Sequence, residues 1–184
     1  MKKVLFLSIL LTACFNFYSQ IYKAKDGSTL INFYSKSPLE DIEANNKNAV
    51  IVLNTATGDI QVRISIQAFK FKNGLMEEHF NENYLESTKY PNCVFKGKIN
   101  EKIDYAIDGQ NKVTVSGKME LHGVTKDVEL AGLLTKKGND IAIDSKFKIK
   151  IADYNIKVPS LYVKNIAEIV DISVLSTLEP FIKK

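Results

Sequence analysis

Hydrophobicity with a period of two recurs along most of this chain, and no other feature constrains its fold as strongly. Successive side chains of a strand point to opposite faces, so strict alternation means one buried face and one wet face. In "IQVRISIQ" the residues Ile60, Val62, Ile64 and Ile66 share one side, with Gln61, Arg63, Ser65 and Gln67 on the other. "KVTVSGKMEL" sets Val113, Val115, Gly117, Met119 and Leu121 against Thr114, Ser116, Lys118 and Glu120. In "IAIDSKFKIKI", Ile141, Ile143, Phe147, Ile149 and Ile151 oppose Ala142, Asp144, Lys146, Lys148 and Lys150. Weaker versions occur in "STLINFYS", "AVIVLN", "DVELAGLL" and "IVDISVL". So many half-buried strands in one domain must close into a barrel or stack as a sandwich to hide their edges. Periodicity alone does not choose between the two.

Turn chemistry punctuates these runs. "ATGD" around Gly58, "IDGQNK" around Gly109 and "KKGND" around Gly138 are Gly/Asn/Asp clusters of the kind hairpins require. Between strands expected at 113–121 and 127–134 lies "HGVTK". There His122 and Gly123 read as a hairpin connection, with glycine free to take positive φ, and not as a catalytic loop. One segment breaks the alternation. "NGLMEEHFNENYLESTKYP" carries Met76, Phe80 and Tyr84 at four-residue spacing, which predicts one or two short amphipathic helices around residues 74–88, lying over one end of a barrel. His79 within it reads as a solvated or satisfied helix residue.

The chain has 184 residues, 45% hydrophobic and 25% charged, which suits one domain with a sizeable core over residues 20–184. Lys+Arg number 25 against 21 Asp+Glu; without Lys2 and Lys3 the excess is 23 − 21, or +2. Such a weak, scattered excess gives no reason to expect nucleic acid as a partner. Residues 1–19 read as an export signal, with "MKK" as the positive region and "VLFLSILLTACF" as the apolar region. "LTAC", Leu11 to Cys14, has the form of a lipoprotein box, while Ser19 offers an ordinary cleavage site. Either way the mature protein is expected to be exported: periplasmic, secreted, or lipid-anchored at the envelope through Cys14. Anchoring would bring it near the membrane.

With Cys14 lost or lipidated, Cys93 has no disulfide partner, and its place in "NCVFKGKI" beside Phe95, Gly97 and Ile99 predicts an inward, inert thiol. Two distant histidines without HExxH or CxxC predict no metal site, and "PLEDIEANN" lacks the spacing and glycine of a calcium loop. No cofactor fingerprint occurs.

Two linked elements carry a family likeness. Ser87, Tyr90, Pro91 and Phe95 fit an "S-x-x-Y-P-x-x-x-F" element. Gly117, Gly123, Val124, Thr125, Lys126 and Val128 fit "G-x-L-x-x-x-G-V-T-K-x-V", with Met119 where leucine is usual. With the later "FKIKIADYNI", the chain resembles the YceI-like family of exported, lipocalin-like bacterial proteins that bind polyisoprenoid lipids. The likeness covers residues 26–178 and is weakest in "FYSKSPLEDIEANN", which has neither the histidine nor the glycines usual after the first strand.

The resemblance implies an all-β fold, an eight-stranded antiparallel lipocalin-like barrel around an elongated apolar lumen. The inward parity then nominates as lumen residues Phe33, Ile64, Ile66, Phe95, Ile99, Val115, Met119, Leu121, Ile143, Phe147 and Ile149. Phe69, Phe71, Phe80 and Tyr84 are the lid or entrance candidates. The expected function is binding of an isoprenoid or other long-chain apolar lipid, for transport, storage or sequestration. The alternative is a structural or interaction module, a filled barrel docking on a membrane or partner protein; a homodimer is left open. An enzyme is not expected, since no G-x-S-x-G elbow, P-loop or Rossmann fingerprint occurs and the carboxylates fall mostly on wet faces or in turns.

Overall fold

The computed structural model describes residues 21–36, 41–157 and 167–182. The expected export signal, with Cys14, lies outside the described residues. The first strand segments are β1 (Ile21–Ala24), β2 (Leu30–Ser35), β3 (Ile42–Asn46), β4 (Ala49–Asn54), β5 (Asp59–Ser65) and β6 (Lys70–Phe71). After the helix α1 (Gly74–His79) come β7 (Asn92–Ile99), β8 (Gly109–Leu121), β9 (Val124–Lys137), β10 (Asp140–Lys150) and β11 (Ile169–Pro180).

Pairing runs β1–β4–β5–β7–β8–β9–β10–β11 and returns to β1, which closes an eight-stranded antiparallel barrel. β2, β3 and β6 prolong β1, β4 and β5 along the same staves: β11 pairs with β1 near Leu178 and with β2 between Asp171 and Leu175. Closure removes the exposed edges that an open sheet of this size would leave.

Parity holds along each stave except where the backbone is kinked. Between β3 and β4 the inward set passes from Ala44 and Asn46 to Ala49, Ile51 and Leu53, so one extra residue is accommodated as in a bulge. Asn46 holds that bend. Its fully buried amide donates to the Ser65 carbonyl at 2.7 Å and accepts from the Asn48 N–H at 2.7 Å. β8 and β9 run longer than the strands expected from sequence, because the hairpin spends only His122 (φ 51°) and Gly123 (φ 72°) on its turn. Two successive left-handed residues twist in the sense of the flanking strands.

The interior differs at its two ends. Where β1 crosses β4 and β11, Tyr22, Leu53, Ile141 and Leu178 are buried against one another and close the floor. At the other end the 310 turn Ile66–Ala68 leads into β6, which pairs with β3, and α1 packs beside β6 through the bonds of Glu77 to Lys70 and to the Phe71 N–H. Asn73 caps α1 by accepting from the Leu75 and Met76 N–H groups at 3.0 and 3.4 Å. The helix then widens into a single π turn at Phe80–Tyr84.

Gly97 and Gly117 face each other as register partners on the inner side of β7 and β8. A Cβ on Gly117 would sit 2.4 Å from the Lys96 carbonyl oxygen and 2.5 Å from the Gly97 Cα, and one on Gly97 would sit 2.5 Å from Phe95 Cζ. The bare pair lets the two backbones approach and the Phe95 ring lie across them. Gly117→Ala is therefore expected to cost about 1–3 kcal/mol of stability by overpacking, read as a lower urea midpoint at unchanged m-value. A variant as stable as the parent would show that β7 and β8 part there freely.

Candidate functional site

Above the floor the barrel is hollow. Its lumen holds a cavity of about 200 Å3 within about 1650 Å3 of atom-free space that includes open solvent. All eleven nominated lumen residues lie on its wall, as do Phe69, Phe71, Phe80 and Tyr84. The alternation delivers them: Ile60, Val62 and Ile64 from β5, Cys93, Phe95 and Ile99 from β7, Val113, Val115, Met119 and Leu121 from β8, and Phe147 and Ile149 from β10. Val62, Ile64, Val115, Ile143, Phe147 and Ile149 face inward yet remain half-buried. Residues of a packed core would not; their free surface looks into the hollow.

The wall offers little polar chemistry. Among the described lining residues only Tyr84, Cys93 and Ser145 carry an O–H or S–H group, and the Ser145 hydroxyl donates to the Ala131 carbonyl at 2.7 Å. Burial, with Glu120 adding to it, pushes the Cys93 thiol up to about 12. It is held neutral. Such a wall can bury hydrocarbon and fix no particular head group.

Phe80 anchors the cover. Its ring centroid lies 4.9 Å from Phe71, 5.6 Å from Phe69 and 6.0 Å from Phe33, all at tilted or edge-on angles that favour aromatic contact. Phe69, just after the 310 turn, and Phe71, in β6, therefore reach the lumen through this cluster.

Sequence reasoning missed much of the remaining wall. Ile31, Ile42, Ile51, Val170, Ile172 and Val174 line the cavity from β2, β3, β4 and β11. Their alternation was visible, but the kinked first staves and the weakly patterned last one hid the phase. Leu85 and Ile156 come from irregular segments, where no periodic signal exists to find them, whereas Ile151 continues the inward alternation of β10 into the 310 turn Ile151–Tyr154.

His122 does more than turn the chain. Its side chain is 8% exposed, with Nδ1 at 3.1 Å from the Tyr154 carbonyl oxygen and Nε2 at 2.9 Å from Glu86 Oε2. Both neighbours are acceptors, so both contacts are hydrogen bonds only when the ring carries two protons. Tyr90 packs edge-on at 4.5 Å between ring centroids and covers Gly123, where a Cβ would lie 2.6 Å from the Tyr90 ring. The two sequence elements that carry the family likeness thus meet here. Tyr90 and Gly123 touch, Ser87 is buried beside them, and the Pro91 carbonyl accepts from the Ile66 N–H at 2.9 Å. These residues are architecture. They clamp the helical segment to the β8–β9 turn.

Residues 26–178 match the YceI-like domain. The chain belongs to that family. A YceI protein of Shigella flexneri is 29% identical over 111 residues, which are 56% of this chain and 55% of that one, so the chain spans about half the length of the curated relatives it matches. Among solved structures, a polyisoprenoid-binding domain from Saccharophagus degradans, implicated in plant cell wall breakdown, superposes with a TM-score of 0.75. It is 16% identical, and the match covers 89% of this chain and 99% of that one. BcnA of Burkholderia cenocepacia superposes at 0.71 with 18% identity, over 84% of this chain and 98% of its own. At these identities the likeness establishes the YceI-like barrel fold.

The state of Cys93 has a measurable consequence. The folded thiol binds its proton more tightly than an unfolded one of ordinary value 9.0. Its contribution to stability is therefore whole below about pH 9 and is lost as pH rises toward about 12. The native protein is expected not to react with a thiol-specific disulfide reagent at pH 8 and to react stoichiometrically once unfolded in guanidinium. Fast native labelling would place the sulfur outside the wall.

Proposed function

We propose that this chain is an exported lipid-binding protein that holds a long-chain isoprenoid or a similar apolar molecule in its lumen, for transport, storage or sequestration. The observation that carries the reading is the hollow itself, an apolar cavity lined from every stave and left unfilled by its own side chains. Burial is worth about 0.8 kcal/mol per CH₂, so two or three isoprene units, about ten to fifteen carbons, provide on the order of 8–12 kcal/mol before ordering and association costs. Shape and apolarity suffice for such a ligand. The polyisoprenoid-binding neighbour from Saccharophagus degradans supports the same ligand class. A barrel acting only as a docking module would have no use for an empty interior, so the hollow weighs against that alternative.

No covalent chemistry is included in this reading. The Cys93 thiol on this wall is held neutral and is not poised as a nucleophile, and both His122 ring nitrogens, away from the wall, face partners in the clamp. With the export expected from residues 1–19, the lumen would shield such a cargo from water beyond the cytoplasm.

Organic extraction of protein purified from its exporting host is expected to yield a long-chain isoprenoid or similar apolar molecule. The chain has no tryptophan, so Val115→Trp would place a single reporter on the wall and fill part of the hollow. Uptake of an added isoprenoid quinone analogue is expected to fall by at least about tenfold in that variant, with the far-UV spectrum unchanged. Repeatedly empty extracts together with no uptake by the parent protein would reject the reading.

A further inference from the structure

The ring of staves is not paired to the same depth all round. β8 and β9 pair along their whole length, from Gly109↔Lys136 to Leu121↔Val124. β9 and β10 pair only from Asp140↔Lys137 to Ser145↔Gly132. Beyond that point Val124–Ala131 of β9 and Lys146–Lys150 of β10 stay in strand conformation, each paired on its far side, yet they do not pair with each other. Two strand edges face one another across a seam that runs toward the covered end. Exposed edges are features that folded proteins cover or blunt, so an open pair inside a closed barrel calls for a use.

The cavity wall shows where the seam leads. In β5, β8, β10 and β11 the lining residues alternate, as inward parity requires. In β9 five consecutive residues line the cavity: Leu130, Ala131, Gly132, Leu133 and Leu134. Ala131 and Leu133 have outward parity, so it is the backbone beside bare Gly132, at the foot of the seam, that borders the hollow. The fork is held by Ser145, whose hydroxyl donates to the Ala131 carbonyl at 2.7 Å, and by Gly132, where a Cβ would lie 3.1 Å from the Asp144 carbonyl oxygen.

The seam is also chemically matched. Continuing the register fixed below it would set Phe147 opposite Leu130 and Ile149 opposite Val128 on the inner side. On the outer side Lys148 would meet Glu129, and Lys150 would meet Asp127. In the structure those outer groups are turned elsewhere: Lys148 to Asp171, Asp127 to Lys118 at 2.8 Å, and Glu129 toward the Ser116 hydroxyl at 3.4 Å. Each exposed pair is worth little, so exchanging partners is cheap in either direction.

We infer that the seam between Val124–Ala131 and Lys146–Lys150 is a lateral portal, through which an apolar chain slides sideways into the lumen and which shuts by zipping β9 and β10 in the register they share below. The inference rests on the reading that the lumen holds such a chain. A long flexible molecule enters a side slit segment by segment. Entry through the covered end would require it to displace the Phe80 cluster.

The test is a reversible staple across the seam. Glu129→Cys/Lys148→Cys places two thiols directly opposite in the zipped register, and buried Cys93 does not compete. Gln61→Cys/Lys96→Cys, at established register partners on the outer face of β5 and β7, serves as the control staple. Protein loaded with radiolabelled geranylgeraniol is mixed with excess phosphatidylcholine vesicles, and the rate of loss is followed. The seam staple is expected to form on mild oxidation and to slow release at least about tenfold, with reduction restoring the parental rate and the control staple without effect. Failure of the seam staple to form, or release at the parental rate once it has formed, overturns the portal while leaving lumen binding intact. Parent protein that takes up no geranylgeraniol overturns lumen binding and the portal together.

Discussion

Once β11 pairs with β10 on one side and with β1 and β2 on the other, every stave is committed to showing alternate side chains to a common interior. That topological closure does most of the work in this molecule. It turns a modest local pattern, isoleucine next to lysine next to isoleucine, into a continuous apolar wall, and it fixes the wall's radius through the number of staves. At eight staves the interior is wide enough either to be filled by side chains or to hold one small ligand. At the floor Tyr22, Leu53, Ile141 and Leu178 bridge the gap; higher up, Ile64, Val115 and Phe147 do not. The hollow thus lies where the inward side chains are too short to meet across the barrel, and no special residue is needed to shape it.

The family motif has a division of labour that follows from this. Its glycines, tyrosine, serine and proline sit where backbones or rings approach closely, at the Gly97–Gly117 crossing and at the His122 clamp. These positions tolerate little change, because a single Cβ would meet backbone at about 2.5 Å or an aromatic ring face. The lumen residues obey a looser rule, since an apolar wall works with isoleucine, valine, leucine or phenylalanine in many arrangements. A short motif can therefore mark this fold while the ligand-facing surface varies freely, which fits a chain that superposes on a neighbour at a TM-score of 0.75 with only 16% identity.

Much of the wall was legible in the sequence because parity is a local property. Phe95, Ile99, Val115, Met119, Leu121, Ile143, Phe147 and Ile149 lie in β7, β8 and β10, where alternation runs unbroken, and all of them reach the cavity. Legibility fails where an extra residue shifts the phase. The bend at Asn46 moves the inward set by one position, and nothing in "ANNKNAV" announces it, since its cause is a buried amide bonded to Ser65 from another strand. Lys136 marks a second failure. It holds inward parity near the closed end and is buried, satisfied by the Gly138 carbonyl and by Asp108 at 3.9 Å, partners that only the β9–β10 turn and the preceding loop bring within reach. The role of His122 was half visible: its turn geometry followed from the adjacent glycine, whereas its two hydrogen-bond partners come from segments 32 and 36 residues away in the chain.

Apolar binding of this kind poses a kinetic problem that the architecture has to answer. Hydrophobic burial has no direction and no single bond to break, so affinity accumulates along the whole length of a ligand. A sealed barrel would hold such a ligand tightly and release it only by unfolding part of itself. Affinity and exchange can be separated only if the wall opens along a line parallel to the bound chain, letting contacts be lost a few carbons at a time. The staves are joined by backbone hydrogen bonds that are expensive to break, and the upper β9–β10 seam is a line, among the described residues, where those bonds are already absent. The depth of pairing between neighbouring strands, rather than any residue on the wall, then sets how quickly a barrel like this exchanges its contents.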